Sequence, residues 1–255
     1  MPVKPNPHDF AATLAKGLDV LGCFETASGA LTQPEIVRRT GFDRATVRRL
    51  CLTLVARGYL VEAAPGLQLA PRVLALGGGY LATLQVGRVI QPVLRQAAEA
   101  LDMEVALATR DRLQAIYVDR AAPASARVTL GFSVGSSLPL LHTAVGRMLL
   151  ARSSPEVVAA ALAAMPERPH TEATEMDPAR IAAAIETARA RGYALARGEF
   201  EPGAAGVAVP VGALDQVPFV LATTASVNRF EGEGALDRVL DALRKAALSI
   251  GRIGA

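Results

Sequence analysis

The sequence predicts an α+β protein whose N-terminal third is a winged helix-turn-helix. Three observations predict it. Helix and turn signals run in the order helix, helix, turn, helix, hairpin up to Pro71, arginines concentrate on the third helix, and from Val86 onward strand patterns mix with alanine-rich helices.

The first element is marked by Leu14, Leu18, Leu21 and Phe24, which step by three or four from Phe10 and predict an amphipathic helix packed on a core, ending near Ser28-Gly29. Thr32 can cap a second, short helix, with Pro34 and Glu35 in its first turn and Gly41 as its stop. Asp43 can cap the third, which runs to about Arg57 before Gly58 and buries Val47, Leu50, Leu54 and Cys51. "GYLVEAAPGLQLAP" alternates around Pro65-Gly66 as a small hairpin does. Pro71 and Gly77 to Gly79 then bracket a connecting helix, "RVLALGGGYLATL". A further helix is expected over 86–101 and strands over 103–109 and 113–119. Helices over 142–152, 155–164 and 177–190, strands over 192–197, 205–211 and 217–225, and a last helix over 234–250 complete the chain. The domains read as 1–71, a linker helix 72–85, and 86–255.

Of 255 residues 51% are hydrophobic and 20% charged, the balance of a globular protein with a sizeable core. No run approaches a membrane span, and "MPVKPNPHDF" has prolines where a signal peptide needs an apolar stretch, so no membrane partner and a cytoplasmic location are expected. Cys23 and Cys51 sit in helical patterns as small hydrophobes, and His8, His142 and His170 lack zinc-ligand spacing. Neither a metal nor a cofactor is implied. The triple glycine lacks the lysine ending and leading strand of a phosphate loop.

Net charge is only +3, but residues 36–60 hold six arginines, Arg38, Arg39, Arg44, Arg48, Arg49 and Arg57, against one acid, Asp43. Arg44, Thr46, Arg48 and Arg49 project from the N-terminal half of the third helix, the part that a recognition helix places in the major groove. Arginine can bond guanine O6 and N7 at once, and Arg38, Arg39 and Arg57 suit phosphates, so the expected partner is a double-stranded DNA operator.

"FAATLAKGLDVLGCFE", "LTQPEIVRRTGFDRATVRRLCLTLVARGYL" and "LAPRVLALGGGYLATL" resemble, in order, the DNA-binding domain of the IclR family of bacterial transcription factors. Their closest likeness is to its branch controlling aromatic-acid catabolism, the protocatechuate and hydroxybenzoate regulators. The likeness continues through "VGSSLPLLHTAVGRMLLA", "GYALARGEFEPGAAGVAVPV" and "VLATTASVNRF". It implies a GAF-like effector-binding domain holding a small organic acid of the hydroxybenzoate or protocatechuate type, and a homodimer or dimer of dimers. A neutral α+β domain fused to a DNA-binding module also makes economic sense as a sensor.

Carried across by resemblance, the effector site comprises His142, Thr143, Ala144 and Val145 at a helix start, Arg197, Gly206, and Ala222 and Thr224 on a late strand. Backbone N–H groups at a helix start do suit a carboxylate. The chain departs from the family pattern at Arg197, where an acid is common, and at Ala204-Ala205, where an arginine is common. Facing inward, the expected orientation, Arg197 would be a two-armed partner for a carboxylate; facing outward, it is an ordinary surface arginine. His142 fits either a ligand contact or a helix-capping histidine, and Met103, Val105, Leu107 and Tyr117 either core or cavity.

"GFSVG", residues 131–135, fits the nucleophile elbow of a serine esterase. Pro139 argues against the helix that must follow it, and no acid separates it from His142. The expectation is a regulator and not an enzyme.

Overall fold

The computed structural model describes residues 6, 8–84, 86–125, 133–214 and 217–251. The chain forms two units, Met1–Tyr80 and Leu81–Ala255.

In the first unit, local chemistry sets each boundary. Helix α1 (Ala12–Gly22) is followed by α2 (Gln33–Thr40), which Thr32 and Glu35 open with a reciprocal capping box and Gly41 closes at φ 71°. Helix α3 (Arg44–Ala56) starts from Asp43, whose carboxylate accepts from the Thr46 N–H at 2.8 Å. Strands β1 (Leu60–Ala63) and β2 (Gly66–Leu69) form the wing hairpin, and Leu67 pairs with Leu31 to stitch it to the start of α2. Gly66 is required there, because a Cβ would collide with the backbone of Leu31. Val20, Phe24, Leu31, Ile36, Val47, Leu50, Cys51, Leu60 and Leu67 make one core.

Two expectations fail in α1. It ends at Gly22, well before Ser28, and Leu14 and Leu18 are 64% and 59% exposed; Val20 and Phe24 supply its core contacts. The apolar period is real, but among the described residues much of the face it marks is left exposed. Helix α4 (Arg72–Thr83) behaves alike, exposing Leu74, Leu76 and Tyr80, and the division between the units falls inside it. Gly77, Gly78 and Gly79 are helical residues with open space around them, not a phosphate loop.

A π-helical turn (Val86–Ile90) leads into α5 (Gln91–Leu101). Six antiparallel strands follow in the order β5-β4-β3-β8-β7-β6, where β3 is Val105–Asp111, β4 Gln114–Ala121, β5 Ser137–Pro139, β6 Ala194–Arg197, β7 Ala204–Leu214 and β8 Val217–Ser226. Helices α6 (Ala144–Ala151), α7 (Pro155–Ala163) and α8 (Pro178–Arg191) intervene before β6, and α9 (Ala235–Gly251) closes the described chain.

The sheet is buried on both faces, which its alternation records. Val105, Leu107, Phe219 and Leu221 pack toward α5 and α9, whereas Ala106, Ala108, Val220 and Ala222 pack toward α6 and α8. Small residues dominate the second face, and the functional cavity opens there. Among the described residues, no single helix is long and apolar enough to cross a membrane.

Candidate functional site

On α3, Val47, Leu50 and Cys51 turn inward, leaving Arg44, Arg48 and Arg49 exposed. Arg38 of α2 and Arg57 at the end of α3 are exposed too, and none of these five forms an ion pair among the described residues. Asp43, the one acid within residues 36–60, is occupied as a cap, and its hydrogen bonds from Thr46 hold its carboxyl below the usual carboxylate range. The basic face is therefore unneutralised.

Two of the expected DNA-facing side chains already have structural work. Arg39 donates through Nη1 to the Cys23 carbonyl at 2.7 Å and to Thr26 Oγ1 at 3.2 Å, tying α2 to the end of α1. Thr46 gives its hydroxyl proton to Asp43 at 2.7 Å. The Arg39 contacts span 16 and 13 positions, which local spacing does not fix, whereas the Thr46 bond is part of the local cap at Asp43.

In the second unit, a cavity lies between the sheet and the start of α6. His142, Thr143, Ala144, Val145, Gly206, Ala222 and Thr224 line it, joined by Tyr117, Glu199, Phe200 and Ala205. Met103, Val105 and Leu107 belong instead to the core on the opposite face, so of the four residues left open only Tyr117 reaches the cavity.

The start of α6 forms one wall for clear local reasons. Thr143 is its N-cap, accepting from the Gly146 N–H at 3.0 Å while donating to the Pro139 carbonyl at 2.8 Å. Gly146 lets the helix approach the backbone of Leu140, which a Cβ would strike. The N–H groups of Ala144 and Val145, first in the helix, have no intrahelical acceptor.

Arg197 corrects the inward expectation. It is exposed and does not line the cavity, because alternation along β6 turns Ala194 and Ala196 inward and Arg197 out. The acid of the wall is Glu199, two residues further on, where Gly198 at φ 67° ends the strand's alternation. Among the described residues the lining includes no lysine or arginine.

Glu199 is neutralised from behind by Arg147 of α6. Both guanidinium Nη atoms meet its carboxylate at 2.6 Å, and Arg147 Nε donates to the Leu141 carbonyl at 2.8 Å. The sequence did hold a signal for this pair: Arg147 is the single charged residue of α6, every residue of which is buried. Thr171 and Thr174 donate to the Gly198 and Glu199 carbonyls at 2.6 Å and fix the loop.

Thr143, and not His142, caps the helix. The Nε2 of His142 lies 3.1 Å from the Glu175 carbonyl, and its Nδ1 is buried without a partner. Burial, His170 and Arg147 push its pKa below the usual value, outweighing the opposite pull of Glu199. Burial pushes the Tyr117 hydroxyl up to about 12, so it too is neutral. The wall thus offers uncharged donors and acceptors plus an internally balanced ion pair.

The esterase reading finds no support here. Gly131 and Phe132 lie outside the described residues, but after Ser133 the chain makes a turn and enters β5, where a nucleophile elbow would enter a helix. No cluster of metal-ligating side chains occurs among the described residues.

A winged helix-turn-helix with an unpaired basic face, in one chain with an α+β domain that encloses a cavity, defines a two-domain DNA-binding transcriptional regulator. Residues 13–63 match the IclR helix-turn-helix domain and residues 78–252 the bacterial transcriptional regulator IclR C-terminal domain. The chain belongs to the IclR family. It is 32% identical over 240 residues to the Pca regulon regulatory protein of Pseudomonas putida, covering 94% of this chain and 82% of that one. An IclR family transcriptional regulator from Brucella abortus superposes with a TM-score of 0.81 at 29% identity, covering 99% and 96% of the two chains. An IclR homologue from Microbacterium hydrocarbonoxydans, complexed with 4-hydroxybenzoate, superposes at 0.76 with 26% identity over 94% and 98%.

Proposed function

We propose that the protein controls transcription in response to a small aromatic acid, of the hydroxybenzoate or protocatechuate type, held in the cavity beside α6. The cavity carries this reading. Its wall is largely apolar with a few convergent polar groups, as the walls of small-molecule sites are, and the Ala144 and Val145 N–H groups suit a carboxylate. The likeness to a Microbacterium protein that holds 4-hydroxybenzoate and to a Pca regulon regulator supports the chemical class.

Arg44, Arg48 and Arg49 contact base edges and nearby phosphates, with Arg38 and Arg57 on flanking phosphates. Two copies read paired half-sites as a homodimer, alone or within a dimer of dimers. The uncovered residues Phe10, Leu14 and Leu18, and Leu74, Leu76 and Tyr80 of α4, supply apolar surface for such pairing. A regulator of this kind works in the cytoplasm, where its operator is.

The test uses the full-length protein and the DNA upstream of its own gene. Operator affinity should fall steeply with salt and fall further in Arg48→Ala and Arg49→Ala, while 4-hydroxybenzoate or protocatechuate should raise the melting temperature and change operator affinity. Salt-independent binding, or full affinity in both variants, would overturn the role of α3. If no aromatic acid shifts the melting temperature, the effector class is wrong.

A further inference from the structure

Resting on the reading of the cavity as an aromatic-acid site, we propose that His142 selects effectors bearing a ring hydroxyl, by accepting that hydroxyl's hydrogen bond at Nδ1. His142 is wholly buried, stands in the cavity wall, and has a ring held from two sides. Its Nε2 is 3.1 Å from the Glu175 carbonyl, and its plane packs edge-on against His170 at 5.2 Å, which in turn packs against Phe200 at 5.1 Å.

The Glu175 carbonyl can only accept, so Nε2 carries the proton. In the neutral ring Nδ1 is then a bare acceptor, and among the described residues no group donates to it. A buried acceptor left without a donor is costly, and a ligand that supplies one removes that cost. A carboxylate cannot, because it has no proton to give and its charge opposes the Nδ1 lone pair.

The wall therefore sorts the two ends of a hydroxy acid. The Ala144 and Val145 N–H groups at the start of α6 are donors and take the carboxylate; Nδ1 is an acceptor and takes the hydroxyl. Tyr117 and Thr224 are hydrogen-bonded to each other and line the same space. His142 in this role determines specificity, and the ligand's orientation follows from it.

Calorimetric titration of the full-length protein with benzoate, 4-methoxybenzoate, the 2-, 3- and 4-hydroxybenzoates and protocatechuate tests the proposal. At least one hydroxylated acid should bind roughly 10- to 100-fold more tightly than benzoate, and methylation of the hydroxyl should abolish the gain, because an ether has no proton to donate. His142→Gln keeps a donor toward Glu175 while removing the Nδ1 acceptor, and should bring hydroxylated and plain benzoates to similar affinity. Equal binding of benzoate and every hydroxybenzoate by the wild-type protein would overturn the role of His142 and leave the aromatic-acid site standing. Binding of none of them would overturn both. The ligand series needs only the unaltered protein, so the proposal stays testable should the variant fail to fold.

Discussion

Arg147 of α6 and Glu199 of the loop after β6 form a two-armed ion pair, with both N···O distances 2.6 Å and only 6% and 11% of the two side chains exposed. The pair fastens the start of the pocket helix to the loop that carries Glu199 and Phe200. Removing one partner strands the other charge, which costs about 3–5 kcal/mol at buried sites. Glu199→Ala should accordingly lower stability by about that amount, measured by urea unfolding. An Arg147→Met, Glu199→Leu double variant should recover much of the loss, since replacing both charges leaves nothing unpaired. Additive losses in the double variant would show that the pair is not coupled.

His142 makes a prediction about pH. Burial, His170 and Arg147 lower its pKa in the folded protein below the ordinary value of 6.5, against the pull of Glu199 and of the Glu175 carbonyl. As pH falls through about 6.5, the unfolded chain takes up the proton before the folded one does, so stability declines with falling pH until the folded imidazole also titrates. Denaturant midpoints measured from pH 7.5 to 5 should fall less in His142→Gln than in wild type. Parallel curves would remove His142 as the source.

Arg197 should be silent toward the effector. It points away from the cavity, so Arg197→Ala should bind 4-hydroxybenzoate with unchanged affinity. A tenfold loss in calorimetry would place its side chain back at the site.

The arginines of the DNA-binding unit should separate into two groups. Arg39→Ala gives up its bonds to Cys23 and Thr26 and should cost about 1–2 kcal/mol of stability. Arg48→Ala and Arg49→Ala, exposed and without ion pairs, should stay within about 0.5 kcal/mol of wild type while losing operator affinity. Thermal unfolding and operator binding on the same preparations distinguish the groups; a destabilised Arg48→Ala would contradict the assignment.

Most elements and their order follow from local signals in the chain. Thr32, Asp43, Gly41 and Gly58 act within a few residues of themselves, so the helix-turn-helix, its basic face and the start of the wing were legible from local rules. The resemblance placed His142 to Val145, Gly206, Ala222 and Thr224, and they meet at one cavity because register holds β7 and β8 side by side, Gly206 opposite Thr224 and Ala208 opposite Ala222. Tertiary structure alone decided the rest. Leu14 and Leu18 follow the period of buried residues, yet exposure depends on whether another element arrives to cover them. The pairing of Arg147 with Glu199 spans 52 positions, and the partner of His142 lies 33 residues away, separations over which no local preference acts. Glu199 rather than Arg197 meets the cavity because a glycine turn breaks the two-residue period between them, so which charge lines it is settled only once the loop is folded against α6.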